Sequence, residues 1–197
     1  MVRSFKPDKI PKEKLDRIIR NMFKGPSAGF SQGTEVLVID DADQKEKIFQ
    51  QWGSKEKRKA TFTRWPHMED APVVLVVLSN KEAYLERYAE PDKGWTDKDE
   101  SRWPVPFWHI DAGMAALLAL LTVVDEELAA VFTGVPDPQK FRDDFGVPEN
   151  YTPIGAILLG YPRKKDPKSP SLKRGRRPIE EIAHYNFWTV PYSLDLK

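Results

Sequence analysis

Lys24-Gly25-Pro26-Ser27-Ala28-Gly29-Phe30-Ser31-Gln32-Gly33 lies between an amphipathic stretch and a short apolar run, and it carries no Leu, Ile or Val. Three glycines, one proline and two serines give a backbone that turns tightly and offers bare N–H and hydroxyl groups to something flat. Composition alone reads it as a helix-to-strand loop. Ahead of it, residues 1–10 read as an extended arm fixed by Pro7 and Pro11. Pro11 opens a helix with Leu15, Ile18, Ile19, Met22 and Phe23 on one face, stopped by Gly25 and Pro26. Behind it, residues 35–39 read as a short strand ended by Asp40-Asp41.

Further along, residues 43–52 predict a charged helix with Ile48, Phe49 and Trp52 inward, and residues 54–59 a solvated charge run without function. Residues 72–78, Pro-Val-Val-Leu-Val-Val-Leu, form the strongest strand signal: a continuous apolar run is a central strand buried on both faces. A short helix over 81–88 is followed by a Trp- and Pro-rich loop over 91–106, of the kind that serves as a lid or binding loop. Residues 107–124 read as a helix apolar nearly all round, which belongs at a core centre or a subunit interface. A strand over 128–133, a helix over 138–145 capped by Asp137, and a last strand over 151–160 complete the core. The tail, residues 178–197, carries Tyr185, Phe187, Trp188, Val190 and Tyr192, and a partner subunit is the expected cover for so much apolar surface. The expected class is α+β, a single domain over 1–197 in three α/β/α layers around a mixed sheet of about four strands.

The formal charge of +1 over 197 residues argues against a protein built to grip nucleic acid or an anionic membrane. The absence of cysteine excludes a disulfide framework and thiolate chemistry and permits a reducing cytoplasm. The charged start has no apolar signal-peptide core, and the apolar run over 112–124 falls short of the ~18–20 residues of a membrane span. The expectation is a soluble, cytoplasmic protein.

No metal spacing links His67, His109 and His184, and no dinucleotide, P-loop or hydrolase-elbow motif is present. His109 opens the apolar helix beside the aromatic loop, as a pocket-wall residue or a proton donor. The acids Asp125, Glu126, Glu127, Asp143 and Asp144 read as surface. The basic run over 164–177 reads as a solvated loop, a nucleic-acid contact or a phosphate clamp. In the clamp reading, Arg174 and Arg176 flank Gly175 in an extended backbone and point the same way.

Arg3-x-Phe5-x-Pro7, Gly25-Pro26-Ser27-Ala28-Gly29…Gln32, Asp70-Ala71-Pro72, His109-Ile110-Asp111-Ala112-Gly113, Phe132-Thr133-Gly134-Val135, Phe145-Gly146-Val147-Pro148, Leu159-Gly160-Tyr161-Pro162 and Arg174-Gly175-Arg176-Arg177-Pro178 follow one another along nearly the whole chain. In this order and spacing they resemble the FMN-dependent nitroreductase family. The resemblance implies an intertwined homodimer with two flavins at its interface. It implies Arg3 near the flavin pyrimidine edge, with Pro26, Ser27 and Gly29 against the ring from the other subunit. Thr133 and Gly134 are implied at flavin N5, and Arg174 and Arg176 on the FMN phosphate. Residues between Arg64 and His67 match further ribityl and pyrimidine contacts. No side chain is then a catalytic acid or base: NADH or NADPH reduces FMN, which reduces a nitroaromatic, quinone or other flat acceptor by a ping-pong mechanism. Trp95, Trp103, Phe107, Trp108 and His109 line or cover the substrate space in this reading.

The sequence departs from the family pattern in three places. Family members carry an Arg-Arg-Ser block before the Val-Arg arm, whereas this sequence starts at Met1-Val2-Arg3, which implies a reduced phosphate clamp or a start placed too late. Phe30 stands where Asn is common, and Gly33-Thr34 replaces Pro-Trp. Flavin fragmentation on the same fold, or a redox-silent flavin-binding module, are the alternative expectations.

Overall fold

The computed structural model describes residues 1–193, and the chain divides into two compact units, Met1–Asp166 and Pro167–Lys197. The first unit is organised by β2, Val73–Asn80, whose residues are buried almost without interruption. Alternation then splits them: Val74, Val76 and Leu78 enter one apolar cluster, and Val73, Leu75 and Val77 enter another on the opposite face. Thr34–Ile39 (β1), Ala129–Thr133 (β3) and Tyr151–Gly160 (β4) complete a four-stranded sheet of order β1-β2-β4-β3. Every neighbouring pair is antiparallel, which corrects the expected mixed sheet. A strand covered on both faces reads as apolar whichever way its neighbours run, and helical connections return a chain in either direction.

Helices cover both faces, as expected. Lys12–Met22 (α1) and Phe107–Asp125 (α5) lie on one, contributing Ile18, Met22, Ala112, Ala115, Ala116, Ala119 and Val123 to the second cluster. The small residues of α5 admit close packing; Leu118 sits 3.1 Å from where a Cβ on Gly25 would be. By length and composition α5 could cross a membrane, yet its alanine face is buried against the sheet, as in a core helix. Of the acids at its end, Asp125 and Glu127 are exposed as expected, whereas Glu126 is largely covered. Arg17 of α1 pairs with Asp125 at 2.5 Å and with Glu126, and Lys14 donates to the Glu126 carbonyl at 2.6 Å.

Ala42–Phe49 (α2), Lys55–Thr61 (α3) and Pro138–Phe145 (α6) belong to the other face, with Ile48, Phe49 and Phe141 in the first cluster. Asp144, also expected at the surface, takes Lys140 at 2.6 Å and Gln51 at 3.4 Å. Here α3 replaces the expected charge run. Its Arg58 is fully buried and donates to both carboxylate oxygens of Glu46 (2.7 and 2.8 Å), to Glu69 (3.0 Å) and to the Gly53 carbonyl (2.9 Å). A helix whose inward position is an arginine shows no apolar stripe, so periodicity does not reveal it.

Lys81–Ala89 (α4) starts under an Asn80 cap and carries the loop over 91–106. That loop is not a free flap in the structure. Trp95 and Trp103 pack on Tyr88 with ring centroids 4.9 and 4.4 Å away, and Lys81–Glu100, Lys98–Glu86 and Arg102–Asp97 ion pairs fasten it.

The second unit begins at Pro167, ahead of the expected tail boundary at 178. Within it, His184 stacks on Trp188 at 4.3 Å, and Tyr192 N–H donates to the Ala183 carbonyl at 2.9 Å. Phe187 and Trp188 remain exposed. Residues 194–197 of the expected tail lie outside the described residues.

Candidate functional site

The loop over 24–33 is held by one buried carboxylate. Asp111, 4% exposed on the second turn of α5, accepts from the Ala28 N–H at 2.8 Å and from the Tyr84 hydroxyl at 2.7 Å on the same oxygen. Burial, and then the Asp111 charge, push the Tyr84 pKa upward, so the hydroxyl stays a donor. From α4, Arg87 donates to the Gly29 carbonyl at 2.9 Å. Gly29 is required twice over. Its φ is +60°, and a Cβ there would stand 2.5 Å from the Tyr88 ring. Phe30 and Gln32 also sit at positive φ, 58° and 52°, and the surrounding hydrogen bonds hold this strained course. Ser27 accepts the Gln32 N–H on its hydroxyl at 3.2 Å. Beneath the loop is a cleft of about 120 Å³, lined by Phe23, Pro26, Ser27, Phe30 and Asp111 among others. Phe30 itself is 72% exposed.

Arg3 belongs to a second constellation. The arm over 2–6 has its backbone groups spoken for: Val2 N–H to Ala130, Phe5 N–H to His67 and Lys6 N–H to Tyr161 carbonyls, at 3.0, 3.1 and 2.9 Å. Arg3 N–H donates to Asp166 at 3.0 Å, and the Arg163 side chain bridges the Phe5 carbonyl (2.7 Å) and Asp70 (3.1 Å). His67 Nδ1 donates to the same Asp70 oxygen at 2.9 Å. The Arg3 guanidinium lies over Trp65, 4.8 Å from the ring centroid, and forms no ion pair among the described residues.

These two constellations pack into different clusters. Phe5, Val2 and Trp65 join the first, whereas Met22 and α5, behind the 24–33 loop, form the second. Thr133 ends β3 opposite Ala156, and Gly134 beyond it is exposed with no heavy atom within 4 Å of where a Cβ would stand. In the second unit, Arg174 ends a 3₁₀ turn, and Gly175 follows at φ 70°. The backbone there is thus turned rather than extended, which corrects the geometric basis expected for a shared direction. Both arginines are exposed; Arg177, by contrast, is paired to Glu181.

The aromatic residues expected around substrate are divided too. Trp108 and His109 line a cleft of about 420 Å³ with Lys81, Glu100, Glu149 and Thr152. Trp103 and Phe107 do not line this cleft; they pack on each other at 5.8 Å. His109 Nδ1 shares a 2.8 Å hydrogen bond with the Ser79 hydroxyl, and burial lowers its pKa.

Sequence reasoning passed over Asp111, Tyr84, Arg58 and Arg163 as individuals. Only Asp111 left a signal: it is a lone acid in the first half of an otherwise apolar helix. Tyr84 and Arg163 act through partners distant in sequence, and Arg58 through acids on the neighbouring segments, 11 and 12 residues away.

The sequence model of the nitroreductase family matches residues 1–161. The chain is 25% identical over 188 residues to the FMN reductase (NAD(P)H) of Bacillus subtilis, spanning 93% of this chain and 68% of that protein. It is likewise 25% identical over 199 residues to the NADH dehydrogenase of Thermus thermophilus, spanning 92% and 89% of the two chains. In fold it is similar to a nitroreductase family protein from Clostridium difficile, with a TM-score of 0.68 at 23% identity over 95% of this chain and 93% of that one.

Proposed function

The chain belongs to the nitroreductase family, and on that premise we propose that it is a cytoplasmic FMN-dependent oxidoreductase acting as a homodimer. It takes reducing equivalents from NADH or NADPH and passes them, in alternating half-reactions, to a nitroaromatic, quinone or similar flat acceptor. The names of its relatives support the cofactor and the reductant. The observation that carries the reading is the division of the site. The 24–33 loop is fastened to α4 and α5, and the Arg3 arm to His67, Arg163 and Asp166, and on that separation a ring held between them takes one half of its site from each of two copies.

A surface for the second copy is available. Ile110, Leu117, Leu121 and Val124 are all exposed along one side of α5, Leu121 by 58% and Val124 by 69%, with Gly113 open between them. Bound FMN supplies the hydride acceptor and donor. The residues present fit it: Arg3 is a cation without a carboxylate partner among the described residues, and Gly134 leaves its backbone open to close approach. Arg3 favours negative charge on the ring's pyrimidine edge. Pro26, Ser27 and Gly29 lie against the ring from the other copy; the Thr133–Gly134 backbone meets the ring edge; Arg174 and Arg176 take the phosphate. Trp103, Phe107, Trp108 and His109 flank the acceptor space.

The test is spectroscopic. Purified protein takes up FMN, turns yellow, and is bleached by NADH or NADPH without oxygen; protein that retains no added FMN sinks the proposal. Arg174→Ala with Arg176→Ala weakens FMN binding by roughly a hundredfold, the scale of charge-assisted contacts. Leu121→Asp shifts sedimentation from dimer to monomer.

A further inference from the structure

The geometry points to a positioning role for Trp65: we propose that its ring holds the Arg3 guanidinium in place and thereby sets how much more tightly the reduced flavin is bound than the oxidised flavin. The proposal rests on the functional reading above and adds a residue to it.

Both sides of the Arg3–Trp65 contact are rigid. Arg3 leaves an arm in which Val2, Arg3, Phe5 and Lys6 each have their N–H bonded, and Arg163 closes on the Ser4 and Phe5 carbonyls. Trp65 stands in a tight turn: its N–H donates to the Phe62 carbonyl at 2.8 Å, and its carbonyl accepts the Met68 N–H at 3.1 Å. Phe62 and Met68 are buried on either side of it, and Arg58 ties the following Glu69 at 3.0 Å. A half-buried tryptophan supported this way is a fixed platform.

The contact also differs in kind from the contacts of other arginines in the chain. Arg58, Arg87 and Arg163 are each oriented by a carboxylate, which cancels their charge. Arg3 is oriented by a ring instead, 4.8 Å from its centroid. A ring face directs a guanidinium without neutralising it, and leaves its N–H edges for another acceptor. A cation meant to act on a ligand needs that combination. Near the pyrimidine edge it stabilises the anionic reduced ring more than the neutral oxidised one.

The experiment compares Trp65→Leu, Trp65→Phe, Arg3→Ala and the Arg3→Ala/Trp65→Leu pair, by FMN titration and by midpoint potential. Trp65→Leu is expected to lose about tenfold in preference for reduced over oxidised FMN, a two-electron shift of about 30 mV to the negative. Trp65→Phe, which keeps a ring, recovers part of it. In the Arg3→Ala background Trp65→Leu adds nothing further. An unchanged potential in Trp65→Leu overturns the proposal, and so does an equal shift with and without Arg3, which marks Trp65 as merely structural. Wild-type protein that binds no FMN overturns the functional reading itself. In flavin-free protein, the Arg3 side-chain N–H resonance carries a ring-current shift that Trp65→Leu abolishes; its absence in the wild type overturns the contact independently of flavin.

Discussion

Asp111 and Arg58 are buried charges of opposite sign, and each fastens a loop, but by different means. Asp111 holds the 24–33 loop through two neutral donors, the Ala28 N–H and the Tyr84 hydroxyl. Arg58 holds the chain around 53–69 through the carboxylates of Glu46 and Glu69 and the Gly53 carbonyl. A carboxylate solvated by dipoles keeps its field, and Asp111 lines the cleft beneath the loop. The Arg58 charge is cancelled where it sits, so its work is fastening. The same fold thus uses charge once with its field left standing beside the proposed ring, and once as a rivet on the far face of the sheet.

The strongest way to break this comparison is Arg58→Ala. Removing one member of a buried pair costs about 3–5 kcal/mol, and Glu46 and Glu69 keep enough contact with water to place this case at the lower end, about 3 kcal/mol. Urea denaturation measures it; a loss under 1 kcal/mol means the rivet is idle. Tyr84→Phe removes one of the two donors to Asp111, at a cost of about 1.5–3 kcal/mol. It also has a pH signature. Because the folded pKa of Tyr84 is raised, its contribution is intact below the unfolded value near 10 and is lost as pH rises above it. Wild type then loses about 1.4 kcal/mol per pH unit above pH 10 that Tyr84→Phe does not lose; parallel curves would contradict the Asp111 arrangement.

Gly29→Ala tests the loop from its other side. A left-handed φ costs a non-glycine residue about 1–2 kcal/mol, and the added methyl presses on Tyr88. The expected outcome is a lower melting temperature together with weaker FMN binding; loss of stability with flavin affinity unchanged detaches the loop from the ring. The smallest effect is at His109. Burial lowers its pKa, so its contribution is present above pH ~6.5 and is lost as pH falls through the lowered value. His109→Gln flattens stability below that pH by less than about 1 kcal/mol, read from melting curves.

Legibility followed the range of the interactions. The continuous apolar run of β2 and the small-residue pattern of α5 announced a two-faced core, because burial is written in each residue's own side chain. The glycines of the 24–33 loop showed that the backbone turns there, since Gly29 alone accommodates its φ and its neighbour Tyr88. Hidden were the inward face of α3, where the buried residue is a charge, and the fastening of the 91–106 loop, whose tryptophans pack on α4 instead of hanging free. The acids ending α5 lie at the surface as their sequence suggested, but their pairing was hidden, because Arg17 lies more than a hundred residues away.

By itself, then, the order of residues determined the elements other than α3, the two-sided burial of the sheet's middle strand and the family, since each depends on local pattern or on motifs in sequence. Tertiary structure alone decided that the strands run antiparallel, that Asp111 and Arg58 are buried with their partners, and that the Arg3 arm and the 24–33 loop are fastened to different elements. Those outcomes depend on which distant groups meet, and the free energy of a buried charge is set by its partners, not by its neighbours in the chain.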